Sequence, residues 1–170
     1  MLQLVPLDRQ RHDRASFPCG VSSLDRYFAH QLTQDVRRQI ASVYVFAHSE
    51  TGRIRGYHTL SAGSVFPDDL PPSVTKRLPR YATYPVALIG WLAVDSEFQR
   101  QRIGEVLLSD ALSRASRLAE KLGILAVVVD ALDERAAGYY RRFGPSPFSE
   151  DQLRLFLTVA EYRRLVVMPT

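Results

Sequence analysis

The sequence predicts an α/β domain built on a mixed central sheet, and three stretches carry that expectation. Ala87–Asp95 is an apolar run followed by a turn at Phe98–Glu105 and a helix-patterned Val106-Leu107-Leu108, so it reads as strand, turn and helix. Ile124–Asp130 is a continuous run rich in β-branched residues, as a central strand buried on both faces requires. Ser42–His48 and Ile54–Val65 flank Ser49-Glu50-Thr51-Gly52-Arg53, which reads as a hairpin. Strands interleaved with helices in this order define the α/β class.

The other elements follow along the chain. Leu2–Pro6 reads as a first strand, and Ser22 or Ser23 as the N-cap of a helix running to about Leu32, with Asp25 in its first turn where a carboxylate suits the helix dipole. Pro67–Pro85 is a proline-punctuated loop with room for a short helix. Beyond the turn, Val106, Leu107, Leu108, Ala111, Leu112, Ala115, Leu118, Ala119 and Leu122 recur at the spacing of one helical face, with Gly123 as the C-cap. Asp133–Arg142 reads as a short helix, Leu153–Thr158 as a last strand and Glu161–Leu165 as a terminal helical turn. No repeat, low-complexity tract or linker interrupts the chain, so one domain spanning 1–170 is expected.

Composition narrows the class. With 170 residues, 46% of them apolar, the chain can bury a substantial core, and it holds no apolar run near the ~20 residues that cross a membrane. Met1–Leu7 is too short for a secretory signal and lacks a cationic leader, which leads to an expected cytoplasmic location. The single cysteine, Cys19, excludes an intrachain disulfide and any cysteine-cluster metal site; it reads as packed, since a nucleophile would need a base and the only nearby histidine in sequence is His12. His12, His30, His48 and His58 lack metal-ligand spacing, so no metal is expected, and His58 on its strand reads as a satisfied structural histidine.

The net charge is +4 and the pI near 9.5, and of 22 basic residues only Lys76 and Lys121 are lysines. Arginine dominance favours planar contacts to phosphates and bases, although a genome rich in G and C produces the same bias. Arg37-Arg38, Arg53 with Arg55, Lys76-Arg77 with Arg80, Arg141-Arg142 and Arg163-Arg164 are candidates for a basic surface.

The turn is the chemical focus. It leaves unpaired backbone N–H groups at a helix N-terminus with Arg100 and Arg102 beside them, which makes a site for a phosphate-bearing cofactor. By itself it reads equally well as an ordinary connection with solvated arginines.

The residues that decide between these readings do so through resemblance. Gln99-Arg100-Gln101-Arg102-Ile103-Gly104 resembles the pyrophosphate signature Gln/Arg-x-x-Gly-x-Gly/Ala of the GCN5-related N-acetyltransferases (GNAT), with Arg102 where the family has its first glycine. Ala136-Ala137-Gly138-Tyr139-Tyr140-Arg141-Arg142-Phe143-Gly144 resembles the family's Ala-x-x-Phe-Tyr-x-x-x-Gly-Phe segment, which places Tyr140 on the catalytic tyrosine and leaves Tyr139 as packing. Phe17–Phe28, Gly56–Val65, Leu78–Tyr81 and Tyr84–Val86 are similar to the toxin acetyltransferases of type II toxin–antitoxin pairs, whose Phe-x-Cys-Gly leads structurally into the first helix. Several separated blocks in the right order are more specific than one glycine motif. Where those relatives carry Arg after a Leu-Gly pair, this chain has Trp91 after Ile89-Gly90, and packing and substrate contact both remain open for it.

The resemblance implies the GNAT acyl-CoA N-acyltransferase fold, with two splayed parallel strands, and transfer of acetyl from acetyl-CoA to the α-amino group of charged tRNA, which blocks translation. It implies cofactor contacts from Leu92, Ala93, Val94, Gln99, Arg100, Gln101, Arg102, Ile103, Gly104, Glu105, Asp133 and Ala136, with the backbone of Leu92–Val94 pairing with the pantetheine arm, and Tyr140 as the acid for the departing thiolate. A ribbon-helix-helix antitoxin and a homodimer are implied as partners. The Pro67–Pro85 loop then reads equally as a frame for the acceptor side of the cleft and as a surface crossover. Alternative functions are a general GNAT acetyltransferase of a small amine or protein N-terminus, and a non-catalytic acyl-CoA binding regulator.

Overall fold

A computed structural model describes residues 1–15 and 17–167. In chain order the elements are β1 (Leu2–Pro6), α1 (Ser22–Arg26), a π-helical turn (Tyr27–Gln31), α2 (Leu32–Arg37), β2 (Ser42–His48) and β3 (Ile54–Val65). A 3₁₀ turn (Pro67–Asp69), α3 (Pro72–Thr75), β4 (Tyr84–Val94), a second 3₁₀ turn (Ser96–Phe98) and α4 (Ile103–Leu118) follow. The chain closes with β5 (Ala126–Asp130), α5 (Glu134–Arg141), β6 (Ser146–Pro147), β7 (Arg154–Thr158) and α6 (Val159–Val167). The strands form a mixed seven-stranded sheet in the order β1-β2-β3-β4-β5-β7-β6, which is the expected α/β class. Among the described residues no helix is long and apolar enough to cross a membrane.

The residues gather into two compact units, Met1–Ser61 with Gly90–Ala111, and Ala62–Ile89 with the chain from Leu112 on. In the first, β1 and β2 pair antiparallel from Leu2↔His48 to Pro6↔Tyr44, and β2 pairs antiparallel with β3 from Ser42↔Leu60 to Ala47↔Ile54. The hairpin turn needs Gly52, at φ +68°, because a Cβ there would lie 1.8 Å from the Arg11 carbonyl oxygen. The core of this unit is aromatic: Phe28 stacks on Tyr57 with centroids 4.2 Å apart, and Phe17 packs on both at 5.0 and 5.4 Å. Leu32, Val43, Val45 and Ile54 complete it.

The expected helix from Ser22 or Ser23 to Leu32 differs in both termini. Val21 is the N-cap residue and makes no side-chain cap bond. The helical path continues through the π turn into α2, because Leu32 is fully buried and Val36 packs against the same core. Neither residue can leave the helix without uncovering apolar surface.

In the second unit, β4 and β5 run parallel from Val86↔Ala126 to Ile89↔Val129, and β5 pairs antiparallel with β7 from Ala126↔Thr158 to Asp130↔Arg154. Ala126–Val129 are all buried, as the apolar run predicts for a central strand. Val65, Leu70, Tyr84, Val86, Val128, Phe148 and Phe156 form the core. The strand expected from Ala87 begins at Tyr84, inside the stretch read as loop; Pro85, near its start, joins the sheet through its carbonyl, which accepts from the Leu125 N–H at 2.8 Å.

Helix α4 also departs from its expected limits. It starts at Ile103 rather than Val106 and stops at Leu118, after which Glu120 N–H and Lys121 N–H turn back onto the carbonyls of Arg117 and Leu118. Gly123 is therefore not its C-cap and does not adopt a positive φ. The apolar stripe is buried through Leu107, Leu108, Ala111, Leu112 and Ala115 and then ends, since Leu118 and Leu122 are exposed.

The first turns of α4 lie close on β3. A Cβ at Gly56 would meet Leu107 Cδ1 at 2.8 Å, the Ala93 carbonyl oxygen at 3.0 Å and Ile103 Cγ2 at 3.3 Å. Gly56→Ala is accordingly expected to destabilise the protein by about 1–3 kcal/mol, read as a lower urea midpoint at unchanged slope.

Candidate active site

The residues singled out in the sequence fall into two groups, one in each compact unit. In the first unit the parallel register of β4 has ended at Ile89, and Gly90–Val94 continue the strand beyond it. Here the Trp91 N–H donates to the buried Thr59 hydroxyl at 3.0 Å, so a β3 side chain supplies an acceptor where a sheet ladder would use a carbonyl. Ala93 is buried, and Leu92 and Val94 are half-buried. Trp91 is resolved toward packing, because its indole stacks on Tyr27 with centroids 4.4 Å apart and planes 15° from parallel.

Asp95 ends the strand and caps the following 3₁₀ turn, accepting from Glu97 N–H at 2.9 Å while its own N–H donates to the Arg55 carbonyl at 2.9 Å. Arg53 pairs with Glu97, and the guanidiniums of Arg53 and Arg55 lie over the Phe98 ring at 4.9 and 4.3 Å. Gln99 leaves the turn in extended conformation. Arg100 and Arg102 then take φ +64° and +61°. Each enters the left-handed region that favours glycine, at a cost of about 1–2 kcal/mol.

Ile103, Gly104 and Glu105 open α4, and the leading N–H groups of a helix have no partners within it. Glu105 places a negative charge at the helix start. Arg102 answers it, with Nε at 3.0 Å and a terminal nitrogen at 2.8 Å from the Glu105 carboxylate. The Arg102 guanidinium is thus engaged with Glu105, and the N-terminal turn keeps the positive end of its dipole. Arg100 and Gln101 are exposed.

The second group lies on α5. Asp133 is its N-cap and accepts from Ala136 N–H at 2.8 Å, so these two residues engage each other. Tyr140 is 7% exposed, and its ring meets Tyr139 edge-on at 5.7 Å. Burial, helped by Tyr139, pushes the Tyr140 phenol up to about 12. Tyr140 is therefore a protonated donor throughout the physiological range. Tyr139 packs on Phe143 at 5.0 Å, as its structural reading requires.

Cys19 is buried, and burial with the neighbouring Asp25 pushes its thiol up to about 11, which argues against a nucleophilic thiolate. Fully buried His58 lies 2.7 Å, through Nε2, from a carboxylate oxygen of Asp110, while its Nδ1 has no hydrogen-bond partner. Sequence reasoning missed Asp110; an acidic residue between the buried Leu107 and Ala111 of α4 was the available signal. It also missed the bond that the Asp25 carboxylate accepts from the Cys19 N–H. Among the described residues no group of three metal-binding side chains occurs. Parts of the expected basic surface are committed internally: Arg141 pairs with Glu134 at 3.2 Å, and Arg163 donates to the Ser116 hydroxyl and carbonyl at 3.1 and 2.9 Å.

A strand end, a tight turn into a helix N-terminus and a buried protonated tyrosine are features of an acyl-CoA-dependent acetyltransferase. The chain belongs to the Acetyltransferase (GNAT) family, whose profile it matches over residues 10–144. It is 30% identical over 170 residues to a probable toxin TacT of Sinorhizobium fredii, covering 96% of this chain and 94% of that protein. It is 33% identical over 160 residues to a tRNA-acetylating toxin of Mycobacterium tuberculosis, covering 91% and 90%. Among solved structures it is similar to AtaT complexed with acetyl-methionyl-tRNAfMet, with a TM-score of 0.91, 26% identity, and coverage of 98% of this chain and 100% of that one.

The Cys19 proton links the site to stability. The folded protein holds it up to about pH 11, whereas the ordinary value for the thiol is 9.0. The stabilisation from this group is complete below the lower value and drains as pH rises to the upper one. Unfolding free energies from urea titrations at pH 8 and pH 10.5 should fall more steeply for the wild type than for Cys19→Ala.

Proposed function

We propose that this chain is a toxin acetyltransferase that moves an acetyl group from acetyl-CoA to the α-amino group of aminoacyl-tRNA and so blocks translation. The observation that carries the reading is a pairing: a chain that matches a tRNA-acetylating toxin over 91% of its own length also keeps a buried, protonated tyrosine at Tyr140. Acetyl-CoA lies with its pyrophosphate on the turn and helix start formed by Gln99, Arg100, Gln101, Arg102, Ile103, Gly104 and Glu105. Its pantetheine amides pair with the backbone of Leu92, Ala93 and Val94, as an added strand would. Asp133 and Ala136 complete the cofactor set by fixing the start of α5.

Transfer is direct. The acceptor nitrogen attacks the thioester carbonyl carbon, and the oxyanion that forms is held by a backbone N–H of the Leu92–Val94 stretch. Collapse re-forms the carbonyl and breaks the C–S bond, and Tyr140 gives its proton to the departing thiolate. The acceptor nitrogen sheds its proton to solvent, from which the tyrosinate is reprotonated. An α-amine has a reference pKa near ~8, so a sizeable neutral fraction exists at pH 7 and no dedicated strong base is required.

The partners that accompany this reading are charged tRNA, a ribbon-helix-helix antitoxin and a second copy of the chain, all in the cytoplasm. The arginines that remain uncommitted on the surface, Arg37 and Arg38 among them, supply phosphate contacts.

Transfer of radiolabelled acetyl from acetyl-CoA to a mixed pool of charged tRNA tests the proposal. Wild-type protein should label the tRNA, and Tyr140→Phe should lower the rate by about 100-fold or more. Labelling of free amines without tRNA would replace the toxin with a general acetyltransferase; an unchanged rate in the variant would remove Tyr140 from the mechanism.

A further inference from the structure

We propose that Asp25 is a positioning residue for acetyl-CoA: by fixing the Pro18–Cys19 peptide group it places the two consecutive carbonyls, Pro18 O and Cys19 O, that hold Ser96 and the side chain of Gln99 at the two ends of the cofactor turn. The inference rests on the reading of that turn as the pyrophosphate site. The Asp25 carboxylate, in the first turn of α1, accepts from the Cys19 N–H at 2.8 Å. The carbonyl of the same peptide group, Pro18 O, accepts from Ser96 N–H at 2.7 Å. One residue on, the Cys19 carbonyl accepts from the Gln99 side-chain amide at 2.8 Å, and that amide also reaches the Val94 carbonyl at 3.3 Å.

Two consecutive peptide groups therefore hold the turn at both ends: Asp25 fixes the Pro18–Cys19 peptide, whose carbonyl takes the N–H of Ser96, the first residue of the 3₁₀ turn, and the adjoining Cys19–Gly20 peptide takes the side chain of Gln99, the residue after it. The carboxylate acceptor on the Cys19 N–H polarises the first of these peptides and strengthens its bond to Ser96, and by fixing Cys19 it sets where the second carbonyl points. The far anchor is firm, since Phe17 and Cys19 are both buried in the aromatic core.

The turn needs such a brace. Directly after Gln99 the chain must pass through two arginines in the left-handed region, a conformation that non-glycine residues abandon when nothing holds them. The Gln99 side chain is spent on carbonyls of its own protein. It serves the cofactor by fixing where the N–H groups after it point, and Asp25 serves it at one further remove.

Acetyl-CoA binding by calorimetry, at a temperature well below each variant's Tm, tests this. Asp25→Ala should weaken binding about fivefold to tenfold, while Asp25→Asn, which keeps a carbonyl acceptor for the Cys19 N–H, should stay within about twofold of wild type. Gln99→Glu replaces the donating amide with a carboxylate facing two carbonyls and should weaken binding at least as much. The Asp25→Ala/Gln99→Glu double variant should bind little worse than Gln99→Glu, because both changes release the turn from the same Cys19 segment. In turnover the loss should appear in KM for acetyl-CoA rather than in kcat.

Wild-type affinity in Asp25→Ala accompanied by a lower Tm would reduce Asp25 to a structural role and overturn the proposal, as would simple additivity in the double variant. Should Asp25→Ala fail to fold, Gln99→Glu set against Gln99→Arg decides between the two roles: the arginine can still donate and should retain binding, and equal loss in both overturns the proposal. A wild-type protein that does not bind acetyl-CoA at all fails at the cofactor reading instead, which separates the two claims.

Discussion

The turn into α4 depends on one close approach. At Gly56 the backbone of β3 has no side chain on the α4 side, and into that space come Ile103, Leu107 and the carbonyl of Ala93. The first turn of α4 is thereby held close on β3 and the end of β4. A Cβ at this position would come within 2.8 Å of the Leu107 tip and press tightly on the Ala93 carbonyl and Ile103, so a side chain here strains the helix start and the strand end together. Both are parts of the same candidate site, so a packing constraint becomes a functional one.

The electrostatics of the turn follow from that placement. A helix N-terminus offers partial positive charge and unpaired donors, and an acidic residue in the first turn stabilises the helix at the expense of an incoming phosphate. Glu105 is such a residue, and Arg102 pairs with it across the first turn. The Arg102 backbone lies in the left-handed region, and its Nε and a terminal nitrogen converge on one oxygen of the Glu105 carboxylate. Bracing by Asp25, Pro18–Cys19 and Gln99 supplies the order that a strained turn does not generate locally.

Much of the fold was legible in the sequence because it is written in local patterns. The hairpin strands Ser42–His48 and Ile54–Val65 have the limits that alternation and the Gly52 turn predict. Helix ends were less legible. Ile103 and Gly104 looked like turn residues and are helical, and Leu118 and Leu122 looked like core and are exposed, because a periodic stripe says nothing about where its neighbours stop. Of the candidate site, the motif positions were readable, but their side-chain roles were not. Gln99 is bonded to Cys19, 80 positions away, and Trp91 to a tyrosine on the π-helical turn; contacts of that range leave no periodic trace. Asp25 fitted the simplest local rule, a carboxylate at a helix start, and that rule hid its bond to Cys19.

The central claim is that the end of β4, beyond its register with β5, and the opening of α4 hold acetyl-CoA through backbone groups. Amide hydrogen exchange with and without acetyl-CoA tests it most directly, since it reads those N–H groups one segment at a time. New protection at 92–94 and 99–106 is expected on adding the cofactor. Bound acetyl-CoA that leaves exchange in both segments unchanged would contradict it.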